Sequence, residues 1–163
     1  MGKKRDHSAE FNSMVLRQRD LIWHVCGRYR LGSAWTTDDI FQQVLEVLWV
    51  SYPKFKKLSS ERTWVYVVAN HAIVSLKRNH SNQPLSSVDN CDIPLTEGPN
   101  DVNLIEVMDI IDSFDEPERT ILHAVGDGFS HAEIAEMTGL TETAVTMRLK
   151  RTKEILKNLL YGR

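Results

Sequence analysis

Residues Asp115–Tyr161 read DEPERTILHAVGDGFSHAEIAEMTGLTETAVTMRLKRTKEILKNLLY, and their punctuation decides the fold. Asp115 is placed to cap a first helix, with Glu118 three residues on completing a capping box around Pro117 in the first turn. Gly126 and Gly128 end that helix. Ser130 opens a second with the same box, Ser130 to Glu133, and Gly139 stops it after about two turns. Thr141 caps a third, which runs amphipathically to about Leu160.

Two helices meeting at a glycine, the second longer and basic, match the helix-turn-helix signature. Ala135, Gly139 and Val145 stand where that motif needs a small residue at the helix crossing, a left-handed turn and an apolar anchor. On the third helix Val145, Leu149, Thr152 and Leu156 share one face at intervals of three and four. The other face carries Thr143, Thr146, Met147, Lys150 and Arg151, with Arg148 at its edge. Hydroxyls and a thioether at the N-terminal end suit base edges in a major groove, and the cations beyond them suit phosphates. A basic helix face alone is more often merely solvated. The capped helix pair with its Ala–Gly–Val spacing favours DNA binding instead.

The 163 residues allow one or two small domains, and 42% apolar content is ordinary for a globular chain. No apolar run approaches the roughly 18 residues of a membrane span. The N-terminal MGKKRDHSAEF is basic without the apolar segment of a signal peptide, so a cytoplasmic protein is expected. Cys26 and Cys91 suggest a reducing compartment and no disulfide framework. The net charge of −2 conceals a segregation: +6 over residues 1–80, −10 over 81–128 and +2 over 129–163. Two basic ends around an acidic middle fit a nucleic-acid binder with two contact sites and a segment that avoids or competes with DNA.

The pattern is all-α. A first helix spans about Ala9–Tyr29, with Phe11, Val15, Leu16, Leu21, Ile22, Val25 and Cys26 as its core side, and Gly32 and Ser33 break it. Cys26 beside His24 has no partner pair at metal-site spacing, so a buried unliganded thiol is expected. Thr36 or Thr37 caps a second helix whose Ile40, Val44, Val47 and Leu48 form an apolar stripe. Asp39, Gln42, Gln43 and Glu46 line its polar face, either solvated or a dock for a basic partner, with Trp49 near the end. Pro53 opens a loop in which Tyr52, Phe55 and Trp64 interleave with Lys54, Lys56, Lys57 and Arg62. Aromatics among cations are the composition of a single-strand binder, although each ring can equally fill the core.

Ser59 or Ser60 starts a third helix with Val65, Val68, Ala69, Ala72 and Leu76 on its buried side. Lys77 and Arg78 occupy its last turn, which favours cations with or without DNA. His71 is most simply a polar-face residue. Residues 81–100, with three prolines and no periodicity, read as a flexible acidic linker. Asn100 then caps a short acidic helix whose Leu104, Val107, Met108 and Ile111 can pack under the helix-turn-helix. The expected layout is therefore an N-terminal three-helix domain (1–80), the linker (81–100) and a helix-turn-helix domain (101–163).

In that order the segments resemble a bacterial RNA polymerase sigma factor of the extracytoplasmic-function type. DDIFQQVLEVLW at 38–49 is similar to the family's core-binding helix and RTWVYVVANHAIVSLKR at 62–78 to its promoter-melting helix. Residues 116–151 are similar to its C-terminal helix-turn-helix domain. The resemblance implies that Asp39, Gln42, Gln43, Glu46 and Trp49 dock on a basic coiled coil of the polymerase's largest subunit. Lys54, Lys56, Lys57, Arg62 and Trp64, with Asn70, His71, Lys77 and Arg78, would hold the melted downstream element. Thr141, Thr143, Thr146, Met147, Arg148, Lys150 and Arg151 would read the upstream element. It also implies an anti-sigma partner, and no cofactor or metal. Departures from the usual pattern stand at Gln43, His71, Ser75, Glu142, Thr143, Thr146 and Met147, and bear on promoter sequence more than on activity.

The alternatives are a one-component regulator with a helical sensing half, a metal-dependent enzyme and a helical adaptor. The basic aromatic loop counts against a sensor, which needs no single-strand surface. None of the six histidines forms a ligand pair backed by carboxylates, and no nucleophile motif or glycine-rich phosphate loop is present.

Overall fold

The computed structural model describes residues 7–29, 31, 34–81 and 104–162, and among them all regular structure is helical. The expected linker beyond Ser81, the Asn100 cap, the Gly32–Ser33 break, Cys91 and the side chain of Leu104 lie outside the described residues, while Ser81 itself is helical. The chain divides into two compact units, one carrying three long helices and the other three short helices followed by a long one.

In the first unit, α1 (His7–Gly27), α2 (Thr37–Ser51) and α3 (Glu61–Ser81) pack on one another. Thr36 caps α2 in a full capping box: its Oγ1 accepts from the Asp39 amide and the Asp39 carboxylate accepts from the Thr36 amide. Those bonds hold the Asp39 carboxyl below the ordinary carboxylate range. A 3-10 turn, Tyr52–Lys54, follows α2 with Pro53 in it, and Ser60 starts α3 by accepting from the Thr63 amide at 3.0 Å. The core is built from Phe11, Met14, Ile22, Val25 and Cys26 of α1, Ile40, Val44 and Leu48 of α2, and Val65, Tyr66, Ala69, Ala72 and Ile73 of α3. Each fully buried aliphatic side chain there contributes roughly 1.5–3 kcal/mol.

Two expected core residues are exposed, and Val15, Leu21, Val68 and Leu76 are half-buried. Leu16 is 74% exposed. It lies about 140° round the helix from Phe11 at 3.6 residues per turn, so the run Val15–Leu16 cannot bury both side chains against one wall. Val47 is exposed because the buried sector of α2 turns toward half-buried Phe41 and Leu45. Met14, Tyr66 and Ile73, outside the expected core, are fully buried.

The second unit holds α4 (Leu104–Asp112), α5 (Glu118–Gly126), α6 (His131–Thr138) and α7 (Glu142–Tyr161). Ile111, Ile121, Leu122, Ala124, Phe129, Ile134, Val145 and Leu149 are buried between them. Ser130 and Glu133 close the capping box on α6, and the Thr141 hydroxyl accepts from the Ala144 amide to cap α7. Gly139, with φ +70, supplies the left-handed turn between these helices, its amide donating to Ala135 at 2.9 Å.

The start of α5 corrects the expectation of a box from Asp115 to Glu118. The helix begins two residues later than that box requires: its N-cap is Pro117, which has no side-chain acceptor. The carboxylate in reach of the third amide therefore belongs to Glu116, which accepts from the Thr120 amide at 3.3 Å and its hydroxyl at 2.6 Å. Burial alone would raise the Glu116 pKa, but bonds from Thr120 and Arg119 outweigh it and the net shift is downward.

Candidate nucleic-acid interface

α7 turns Val145, Leu149 and Thr152 inward and leaves Thr143, Thr146, Met147, Lys150 and Arg151 in solvent, with Met147 68% exposed. Of the seven residues expected to read duplex DNA, Thr143, Met147, Lys150 and Arg151 are on an open surface, Thr141 caps the helix, and Thr146, exposed as well, meets His131 Nδ1 of α6 at 2.9 Å. Arg148 differs: its Nη1 is hydrogen-bonded to Glu118 of α5, tying the long helix to the one beneath it. Glu118 serves that ion pair instead of a cap. Below it the Asp112 carboxylate and His123 Nε2 meet at 2.9 Å, which fastens α4 to α5.

In the first unit, Asp39, Gln42, Gln43 and Glu46 are exposed along one side of α2, and Trp49 is 46% exposed. Trp49 also sets its ring edge-on to Phe11 at 5.0 Å, so it is anchored from below. Exposed Val47 and Val50 border these polar groups, which makes the face amphipathic. Sequence reading placed Val47 in the core and passed over Val50; the four-residue spacing of Ile40, Val44 and Leu48 is the signal that excludes both.

The basic loop after α2 is organised by its rings. Phe55 stacks on Trp64 at 4.8 Å with 29° between planes, and Tyr52 meets Trp64 edge-on at 6.2 Å and Phe11 at 5.5 Å. The rings expected to stack on unpaired bases stack on each other. What the loop projects is Lys54, Lys56, Lys57 and Leu58, the last 87% exposed. Lys57 holds φ +56, in the left-handed region that costs an L-residue roughly 1–2 kcal/mol. Leu58 was absent from the sequence-based set because a lone leucine carries no pattern.

Beneath the loop, Arg17 Nε and Nη2 donate to both oxygens of Glu61 at 3.1 and 2.7 Å, and Gln18 adds a bond at 3.1 Å. The Arg17 guanidinium, with help from Gln18 and nearby Lys57, holds the Glu61 carboxyl below its ordinary range. Along α3 the expected strand contacts fall on two lines. Trp64, His71 and Arg78 recur every seven residues on one. His71 also lines a cavity of about 310 Å³ with Gln43 and Val47 of α2. Asn70 and Lys77 lie on the other: Asn70 Nδ2 donates to the Tyr66 carbonyl at 2.8 Å, and its Oδ1 accepts from Arg28 at 3.5 Å. Arg62 is half-buried at the start of the helix.

Among the described residues, no helix is long and apolar enough to cross a membrane. Cys26 is fully buried, and desolvation pushes its thiol up to about 12.

Two family models match the chain in order: sigma-70 region 2 over residues 14–83 and sigma-70 region 4 over residues 104–156. Together they span about three quarters of it. No curated protein sequence matches. Among solved structures, the sigma factor RpoE from Bartonella quintana, in complex with the anti-sigma factor NepR, is similar in fold. Its TM-score is 0.61 at 16% identity, over 93% of this chain and 96% of that one. CnrH, solved with the cytosolic domain of CnrY, gives the same TM-score and identity over 95% of this chain and 90% of its own. Region 2 followed by region 4 is the order of a sigma factor and differs from that of a one-component regulator. The chain belongs to the sigma-70 family of RNA polymerase sigma factors, in the small two-region form of the extracytoplasmic-function type.

Proposed function

We propose that this chain docks on core RNA polymerase through α2, reads an upstream promoter element with α7 and holds the melted downstream element with its first unit. The observation that carries the reading is the open face of α7, where Thr143, Thr146 and Met147 precede Lys150 and Arg151 on a helix capped and anchored for major-groove entry. Asp39, Gln42, Gln43 and Glu46 offer carboxylates and amides to a basic partner helix, while Trp49, Val47 and Val50 supply apolar contact.

The downstream site is the basic loop with α3. Lys54, Lys56 and Lys57 neutralise phosphates, and Leu58 is the apolar group that reaches toward bases. Trp64 supports the loop from inside. His71 and Arg78 extend the surface on one line of α3, and Asn70 and Lys77 on the other. Opening promoter DNA in this scheme needs no covalent chemistry and no cofactor. Binding energy for the unpaired strand offsets unstacking, a few kcal/mol per step. The protein works in the cytoplasm, where polymerase and promoter are. The similar RpoE structure contains an anti-sigma factor and the CnrH structure the cytosolic domain of CnrY, and an anti-sigma inhibitor is proposed here too.

Run-off transcription with purified core polymerase, with and without this chain, tests the proposal. The expected result is initiation from defined start sites only when the chain is added. Core enzyme that gains no promoter-specific start would rule the reading out.

A further inference from the structure

Thr146 makes two contacts that leave its hydroxyl no proton to offer. Its Oγ1 lies 3.0 Å from the Glu142 carbonyl oxygen one turn back on α7, and 2.9 Å from Nδ1 of His131, the first residue of α6. A carbonyl oxygen only accepts, so the hydroxyl donates there and spends its single proton. Nδ1 then carries the imidazole proton and donates to Oγ1. The reverse arrangement, hydroxyl to Nδ1, would set two acceptors against each other at 3.0 Å, and it too would use the one proton. In either case only lone pairs remain for a group approaching from solvent, and Thr146 is exposed on the same face as Thr143, Met147 and Lys150.

We infer that Thr146 is an acceptor-only reading residue, held in place by His131, and that it selects a base whose major-groove edge bears an amino group, adenine or cytosine. The inference rests on the entry of α7 into the major groove proposed above. Adenine N6 and cytosine N4 are the donors in that groove, whereas guanine and thymine present only acceptors and a methyl group there. A free threonine hydroxyl rotates to donate or accept and discriminates poorly. This one is fixed from two helices at once, by its own helix backbone and by the His131 ring, so a guanine or thymine edge would face it acceptor to acceptor. His131 acts through Thr146 and is a positioning residue.

The test is selection from duplexes randomised across the upstream element, using the full chain bound to core polymerase. Wild type is expected to prefer A or C by roughly 3- to 10-fold, the scale of one net hydrogen bond, at one position. Thr146→Val, which keeps the shape and removes the hydroxyl, should flatten that position and leave the others unchanged. Thr146→Ser should retain the preference. His131→Ala should weaken it at the same position, and should add nothing in a Thr146→Val background. Thr146→Val flattening no position, or flattening one at which wild type prefers G or T, would overturn the assignment while leaving promoter recognition intact. A wild-type chain that selects no sequence would overturn promoter recognition itself, and the assignment with it.

Discussion

Lys150 and Arg151 stand exposed on α7, whereas Arg148, two residues from the first of them, is bound to Glu118. All three look alike in the sequence, as cations on a basic helix, and only the position of α5 separates them. Lys150→Ala and Arg151→Ala are each expected to lower the slope of log binding constant against log salt by roughly 1 for upstream duplex, the effect of one lost phosphate contact. Arg148→Ala should change it less, because its charge is already neutralised. Slopes measured by fluorescence anisotropy over a salt series decide this, and equal losses at all three positions would mean the ion pair opens on DNA. A similar contrast separates Leu58 from Trp64. Leu58→Ser should reduce promoter opening, read as permanganate reactivity of unpaired thymines, without lowering thermal stability. Trp64→Ala should cost stability first, about 2 kcal/mol or more, since it removes the ring on which Phe55 stacks. The aromatic and basic composition of the loop was legible in the sequence. Which apolar group faces outward was not, because that depends on ring-to-ring packing across forty residues of chain.

At the scale of elements, the caps that depend on residues three apart were readable: Thr36, Ser130 and Thr141 each bond to the backbone as their spacing requires. Asp115 failed because a proline moved the first helical turn, and the acceptor with it, to Glu116. Glycines show the same division. Gly139 holds φ +70 whereas Gly126 ends α5 in helical conformation, and an added Cβ meets nothing within 4 Å at either. Backbone strain alone therefore sets the outcome. Gly139→Ala is expected to destabilise the second unit by about 1 kcal/mol, and Gly126→Ala to be neutral or stabilising by up to about 0.5 kcal/mol. Thermal unfolding of the two variants should shift in opposite directions or by clearly unequal amounts. In the first unit, Glu61 joins α1 to the start of α3 with a carboxyl pKa held below its unfolded value. A depressed pKa contributes stability that is present above the unfolded value, about 4.3, and is lost as pH falls through the folded value. Glu61→Gln should accordingly destabilise by less than about 1 kcal/mol at pH 7, a modest figure because the pair is partly exposed to solvent screening. The difference from wild type should shrink as pH falls below about 4.3 and vanish only once pH lies below the folded-state value. A gap that persisted in acid would assign the effect to Gln18 packing instead of the ion pair.

Across the whole molecule, the order of the two units was legible because each carries its own capped helices, and family models match both in that order. The charge pattern was legible as well, and it has a consequence for binding that neither unit shows by itself. The first 80 residues carry +6 and the last 35 carry +2, while residues 81–128 carry −10, a charge larger than both basic ends together. A segment bearing Asp89, Asp92, Glu97 and Asp101 is joined covalently to both basic units, and such a tether is expected to compete with DNA phosphates for their cations at a raised effective concentration. Replacing those four residues with Asn and Gln should therefore raise the affinity of the free chain for a duplex without promoter sequence, several-fold at low salt. The gain should shrink as ionic strength rises, because at about 0.15 M attraction between exposed charges is screened beyond about 8 Å. In run-off transcription the same variant should start from its own promoter but lose more activity than wild type to added competitor DNA. Anisotropy on a non-promoter duplex between about 0.05 and 0.5 M salt measures the first effect. An affinity unchanged at the low end would show that the acidic segment keeps away from the DNA-binding surfaces, and that discrimination against ordinary DNA rests on α7 and the basic loop alone.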